Sequence, residues 1–79
     1  MKLLISVPCY NEEQLIENTI KNLPRKIDGF DEVKILIIND GSTDTSEDII
    51  KKLKIDHYFK FENNVGLAKV FEKSLEIAN

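Results

Sequence analysis

Val33-Lys34-Ile35-Leu36-Ile37-Ile38-Asn39-Asp40-Gly41-Ser42-Thr43-Asp44 decides how this chain folds. The first six residues are nearly continuous in apolar character and rich in β-branching, which suits a strand covered on both faces, as in a parallel sheet. Asn-Asp-Gly-Ser then supplies turn chemistry. Asp44 with Glu47 resembles a capping box opening a short helix whose apolar positions are Ile49, Ile50 and Leu53.

The same succession of apolar run, polar turn and amphipathic segment lies on either side. Upstream, Leu3 to Val7 reads as a strand, and Pro8-Cys9-Tyr10-Asn11-Glu12-Glu13 as the loop after it. A helix is expected from Glu12 to Leu23, with Leu15, Ile16, Ile20 and Leu23 on one face, Asn11 and Gln14 as its capping box and Pro24 as its stop. Downstream, Ile55 to Phe61 is a third strand. Glu62-Asn63-Asn64-Val65-Gly66 follows, then a helix from about Leu67 to Ala78 with Leu67, Val70, Phe71, Leu75 and Ala78 on one stripe.

This β-α-β-α-β-α order implies a three-layer α/β fold, half of a doubly wound parallel sheet with strand order 3-2-1. The first two helices cover one face and the third crosses to the other. A complete fold of this kind places a fourth strand beside strand 1. Residues 1–79 therefore read as a single truncated domain, with the Leu3–Val7 edge unpaired and open to self-association.

Composition narrows the class of protein. With 79 residues, 42% hydrophobic and 32% charged, the chain is an ordinary globular domain with a thin core. A net charge of −3 argues against non-specific nucleic-acid binding, which needs a basic footprint. A single cysteine, Cys9, excludes an internal disulfide framework and a cysteine-rich zinc site, which makes the cytoplasm the expected compartment. The longest strictly apolar run is four residues, too short for a membrane segment.

In an open parallel sheet, ligands bind beyond the carboxyl ends of the strands. The three loops there hold the polar and turn-forming residues, whereas the opposite loops carry ordinary solvated charge. Neither a G-x-G-x-x-G nor a G-x-x-x-x-G-K-[ST] motif is present. The loops offer carboxylates instead, and an ionised carboxylate only accepts hydrogen bonds. Asp40 and Glu12 should therefore read donors such as ribose hydroxyls or the imino N–H of uracil. Tyr10, near Pro8, would wall a flat slot. Helix starts at Ser42–Thr45 and near Gly66 would favour a diphosphate, within reach of Lys69. Each feature also has a purely local reading. Asn11 and Asp44 serve as helix caps, Glu12 and Glu13 complement a helix dipole, Gly66 supplies a positive φ, and Cys9 is a small hydrophobe. Their joint placement favours a ligand site.

Three segments carry a family resemblance. Val7-Pro8-Cys9-Tyr10-Asn11-Glu12-Glu13 resembles the V-P-x-Y-N-E-E opening of family 2 glycosyltransferases. Ile38-Asn39-Asp40-Gly41-Ser42-Thr43-Asp44 is similar to their V-D-D-G-S-x-D segment. Asn64-Val65-Gly66-Leu67-Ala68-Lys69-Val70-Phe71 resembles the N-x-G-L-A-x-A-F helix entry of the branch with dolichol- and polyprenyl-phosphate sugar transferases. The resemblance implies a GT-A fold whose first half binds a UDP- or GDP-linked sugar. Pro8 and Tyr10 would border the base, Glu12 would approach the nucleoside, and Asp40 would accept from the base. Asn39 stands where Asp is more usual, and Ser74 where relatives often have Gly.

The family's D-x-D, which holds a divalent Mg or Mn ion, and its acidic general base follow the third helix, beyond these 79 residues. The expectation is a donor-binding N-terminal part with no catalytic or metal-ligating residue of its own, inactive alone. A complete relative would transfer sugar to an acceptor hydroxyl or lipid phosphate by direct displacement at the anomeric carbon. The alternative is a non-catalytic nucleotide-binding or self-assembling module. A receiver-type phosphoacceptor domain ranks lower, because its third strand should end in the acceptor carboxylate and this one ends in Phe61-Glu62-Asn63.

Overall fold

A computed structural model describes residues 1–78. Its elements are β1 (Lys2–Cys9), α1 (Ile16–Lys21), β2 (Glu32–Asp40), α2 (Ser46–Ile50), β3 (His57–Phe61) and α3 (Leu67–Ala78). The sheet order is β1-β2-β3 with both pairings parallel, the order expected from the sequence. Leu3 pairs with Val33 and Cys9 with Asn39, and Leu36 pairs with His57 through to Asp40 with Phe61.

β2 is central because its sequence suits both faces. Ile35 and Ile37 point to the layer formed by α1 and α2, where Cys9, Ile16, Ile20 and Ile50 complete a buried cluster. Leu36 and Ile38 point to α3, where they meet Val70, Leu4, Phe59 and Phe61. All four β2 side chains are fully buried, each worth about 1.5–3 kcal/mol of transfer free energy. Phe59 and Phe61 pack edge to face, with ring centres 5.0 Å apart, and the Lys73 ammonium lies 4.9 Å from the Phe59 ring centre.

Several boundaries differ from the sequence expectations, each for a local reason. α1 starts at Ile16, not Glu12, and its entry has no side-chain cap. Asn11 adopts φ 51°, and residues 12–15 form a turn in which the Glu12 carbonyl accepts from both Leu15 N and Ile16 N. The Asn11–Gln14 capping box is therefore absent. β2 extends through Asn39 and Asp40, which places both inside the sheet. β3 begins at His57 because Asp56 turns inward. Its backbone N–H donates to the Ile35 carbonyl, and its Oδ2 accepts from Ile35 N at 2.8 Å.

The third helix holds the largest correction. It spans the expected residues but buries Val70 and Ser74, while Leu67, Phe71 and Leu75 are 73%, 65% and 53% exposed. Ser74 explains the rotation. Its Oγ meets Ser6 Oγ at 2.6 Å and donates to the Val70 carbonyl, so two small residues bring helix and strand together. The apolar stripe is left facing outward beside β1.

Gly41 fixes the relation between β2 and the loop that opens α3. It has φ 70°, and a Cβ there would lie 2.5 Å from Asn63 C and from Asn64 N. Gly29, at φ 92°, has nothing within 4 Å. Gly41→Ala should therefore cost about 3 kcal/mol, combining backbone strain with a clash against main chain. Gly29→Ala pays only the conformational strain, about 1 kcal/mol. Urea denaturation of both variants checks this, and equal losses would contradict it.

Candidate functional site

The carboxyl ends of β1 and β2 and the start of α3 enclose a small pocket of about 90 Å³, lined by Pro8, Cys9, Tyr10, Glu12, Asp40, Leu67 and Val70. Four of the residues singled out from the sequence thus meet at one place. Pro8 and Tyr10 lie on the exposed lip and Glu12 is half-buried, whereas Asp40 is buried at the base. Pro8, Leu67 and Val70 also line an apolar groove of about 570 Å³ between α3 and β1.

Asp40 is held more tightly than its expected role requires. Its Oδ1 accepts from Val65 N at 2.8 Å, and its Oδ2 accepts from Gly66 N and Asn64 Nδ2, both at 3.0 Å. Asn64 Nδ2 also donates to the Asp40 carbonyl. These bonds use three of the roughly four acceptor positions of a carboxylate, leaving one on Oδ1. Gly66, at φ 91°, turns the chain so that its own N–H reaches Asp40.

A second lattice of bonds joins the loops after β1 and β2. Asn11 N donates to Ser42 Oγ at 2.9 Å, and Asn11 Oδ1 accepts from Thr43 N at 2.7 Å. Glu12 N donates to Ser46 Oγ, and Glu13 N to Asp44 Oδ2. Glu13 Oε2 accepts from Thr45 N at 3.1 Å and from the Thr45 hydroxyl. Asn11 is thus a cross-loop bridge, not a helix cap. Asp44 does reach a helix start, because its Oδ1 accepts from Ser46 N at 2.9 Å, but it bridges to Glu13 as well. Burial pushes the Asp44 carboxyl up, and hydrogen bonds from Ser46 and Glu13 outweigh that, leaving it below its ordinary value.

Three of the singled-out residues do not line the pocket. Asn39 is fully buried, with Oδ1 accepting from Ser42 N and Nδ2 donating to the Tyr58 hydroxyl. An amide suits that place because Tyr58 receives a donor that Asp would lack. Gly66 acts through its N–H on Asp40. Lys69 is exposed and pairs with Glu72 at 3.8 Å, away from the pocket walls. Conversely, Cys9, Leu67 and Val70 line the pocket without having been singled out. Cys9 and Leu67 adjoin motif residues, and that adjacency was the available signal. Burial pushes the Cys9 thiol above its ordinary value, against opposing hydrogen bonds from Ser46 and Ser42.

A parallel sheet with its polar loops gathered at the strand carboxyl ends is an open α/β arrangement of the doubly wound type. The glycosyl transferase family 2 profile matches residues 4–79, and the chain belongs to that family. It is 35% identical to a poly-beta-1,6-N-acetyl-D-glucosamine synthase of Staphylococcus epidermidis, over 90% of this chain and 18% of that protein. It is 37% identical to the putative glycosyltransferase EpsH of Bacillus subtilis, over 99% of this chain and 22% of that protein. A crystal structure of residues 1–349 of Staphylococcus aureus TarS superposes with a TM-score of 0.75 at 27% identity, covering all of this chain and 25% of that one. The chain thus spans about a fifth of the curated relatives it matches.

Relatives in the family commonly use a divalent metal. The residues here do not fit one. Among the described residues no three His, Cys, Asp or Glu side chains converge, and the Asp40 carboxylate is committed to the loop that enters α3. No helix of the described residues is long and apolar enough to cross a membrane.

Asp40→Asn tests the loop attachment. An amide can present only one oxygen where two backbone N–H groups and one side-chain amide now donate, so buried donors lose their partner. The expected loss is about 2–3 kcal/mol in urea denaturation, and a change below about 0.5 kcal/mol would show that the three bonds do not hold the loop.

Proposed function

We propose that residues 1–79 are the donor-recognition part of a family 2 glycosyltransferase and bind the nucleotide of a UDP- or GDP-linked sugar. The observation that carries this reading is the convergence of Pro8, Tyr10, Glu12 and Asp40 on one pocket at the strand carboxyl ends. The base lies against Pro8, Tyr10 and Leu67. The Glu12 carboxylate, which has no hydrogen-bond partner among the described residues, accepts from the nucleoside, and the remaining acceptor position of Asp40 accepts from the base. The pocket holds little more than the edge of a base, since a water occupies about 30 Å³ in the liquid. The sugar and diphosphate therefore lie outside it, and affinity is weak. Asn39 and Gly66 support the site, and Lys69 reaches the diphosphate only by leaving Glu72.

Transfer of the sugar to an acceptor hydroxyl or lipid phosphate needs the Mg- or Mn-holding D-x-D and the general base that the resemblance places after the third helix. These residues by themselves then bind the donor without turning it over, and act in the cytoplasm. A second reading is a nucleotide-binding or self-assembling module without catalysis, supported by the exposed apolar stripe Leu67, Phe71 and Leu75. Self-association through the outer edge of β1 belongs to this second reading, supported by a sheet in which, among the described residues, β1 has a neighbour on one side only.

Titration of the ¹⁵N-labelled chain with UMP, UDP and GDP tests the site. Shifts are expected at Tyr10, Glu12 and Leu67, with dissociation constants in the millimolar range. Glu12→Ala and Tyr10→Ala should each weaken binding about 5–10-fold, the loss of roughly 1–1.4 kcal/mol, without altering stability. Absence of shifts at those residues at about 10 mM of each nucleotide (~3 kcal/mol of binding free energy or less) contradicts the reading.

A further inference from the structure

Among the described residues a single non-glycine backbone stands at positive φ, that of Asn11 at 51°. Asn11 lies between Tyr10 and Glu12, two of the side chains that meet at the pocket. A left-handed residue other than glycine persists where its surroundings fix it, and such residues gather at binding sites. The turn it makes decides how Tyr10 and Glu12 converge, so whatever holds Asn11 also holds the slot.

What holds it can be followed back into the sheet. Ser42 Oγ accepts from Asn11 N at 2.9 Å, and Asn11 Oδ1 accepts from Thr43 N at 2.7 Å. Ser42 is itself fixed by Asn39, whose Oδ1 accepts from Ser42 N at 3.0 Å. A backbone N–H only donates, so the Asn39 oxygen must face Ser42 and its NH2 group must face away. There Nδ2 donates to the Tyr58 hydroxyl at 3.1 Å. Tyr58 pairs with Ile37 across the parallel ladder, so its ring stands on the same face of the sheet as Ile37 and Asn39. Burial pushes the phenol above its ordinary value, against the Asn39 hydrogen bond. At neutral pH the oxygen facing Asn39 therefore belongs to an uncharged hydroxyl.

We propose that Tyr58 is a positioning residue of the nucleotide site, setting the shape of the Tyr10–Glu12 turn through Asn39, Ser42 and Asn11. This role rests on the nucleotide-binding reading above and extends it to a residue outside all three motifs. Tyr58 does not line the pocket, so it acts only through the chain of hydrogen bonds. Each link joins described residues of the sheet and its rim.

Removing the hydroxyl leaves Asn39 Nδ2 a buried donor without a partner. The amide is then driven to turn toward another acceptor, which carries Oδ1 off Ser42 N. Ser42 loses its anchor, and Asn11 loses the acceptor that holds its N–H. Phenylalanine at position 58 keeps the packing of the ring and removes only the oxygen. A hydroxyl with a structural role alone would lower stability and leave the affinity of the folded molecules as it was. A positioning hydroxyl changes that affinity.

Titration of the ¹⁵N-labelled full chain with UMP reads the folded molecules only, so it separates the two. Tyr58→Phe should raise the dissociation constant about 5-fold, the equivalent of roughly 1 kcal/mol. Ser42→Ala cuts the relay at a half-exposed residue and should raise it by a similar factor. Because both act on one route, adding Tyr58→Phe to Ser42→Ala should change affinity by less than about 2-fold. Without nucleotide, the Ser42 amide of Tyr58→Phe should exchange at least about 5-fold faster relative to the Ile37 amide. Ile20→Val lowers stability from a core position outside the pocket lining and should leave the dissociation constant unchanged. No UMP-dependent shift in the unaltered chain overturns the nucleotide-binding reading and this role together. Binding by the unaltered chain with equal affinity in Tyr58→Phe overturns the role of Tyr58 and leaves that reading standing. Additive losses in the double variant overturn the route through Ser42. An equal loss in Ile20→Val assigns the effect to stability and overturns positioning.

Discussion

The Asp40 carboxylate is the interaction on which the remaining geometry depends. It sits at the last residue of the central strand, and it takes up the backbone N–H groups of Val65 and Gly66 and the side chain of Asn64. Without it the chain leaving β3 would have no fixed path to α3, because the loop there is short of apolar anchors. Gly41, the next residue, closes the same junction sterically, since the Asn63–Asn64 backbone passes where a side chain would be. One carboxylate and one missing Cβ thus set where α3 begins. They thereby place Leu67 and Val70 against the pocket.

The other two loops follow a different principle. Asn11, Glu13, Ser42, Asp44 and Ser46 exchange hydrogen bonds across the gap between β1 and β2, chiefly between side chains of one loop and backbone N–H groups of the other. Most of the polar residues in these two motifs are spent on each other. What remains to face a ligand is the residue set that the lattice does not consume: Pro8, Tyr10, the Glu12 side chain and one acceptor position of Asp40. Short polar motifs in this chain therefore serve mainly to hold the rim in shape, and the proposed recognition falls to the few groups they leave over.

The fold was legible from apolar patterning alone. The run from Val33 to Ile38 has no polar alternation on either face, which demands cover on both sides and so a three-layer arrangement. Helix starts were less legible, because Asn11 and Asp44 have the chemistry of caps and their cross-loop partners lie about thirty residues away in the chain. The buried face of α3 was misread for a related reason. Hydrophobicity alone puts Leu67, Phe71 and Leu75 inside, but the contact between Ser6 and Ser74 fixes a different face, and no periodicity in one helix reveals which small residue opposes it. At the site, the residue types anticipated that Pro8, Tyr10, Glu12 and Asp40 meet around one pocket. They could not show that Asp40 is mostly engaged by the protein itself, or that Asn39 is buried outside the pocket lining.

If the three loops form one unit around the pocket, their amides should open together. Native-state hydrogen exchange at Thr43, Thr45, Val65 and Gly66 measures this directly, since each of those N–H groups donates to a side-chain oxygen of a residue elsewhere in the rim. The account predicts a common opening free energy for these amides, close to that of the β2 core. Fast, independent exchange of Val65 and Gly66 beside a protected β2 would contradict it.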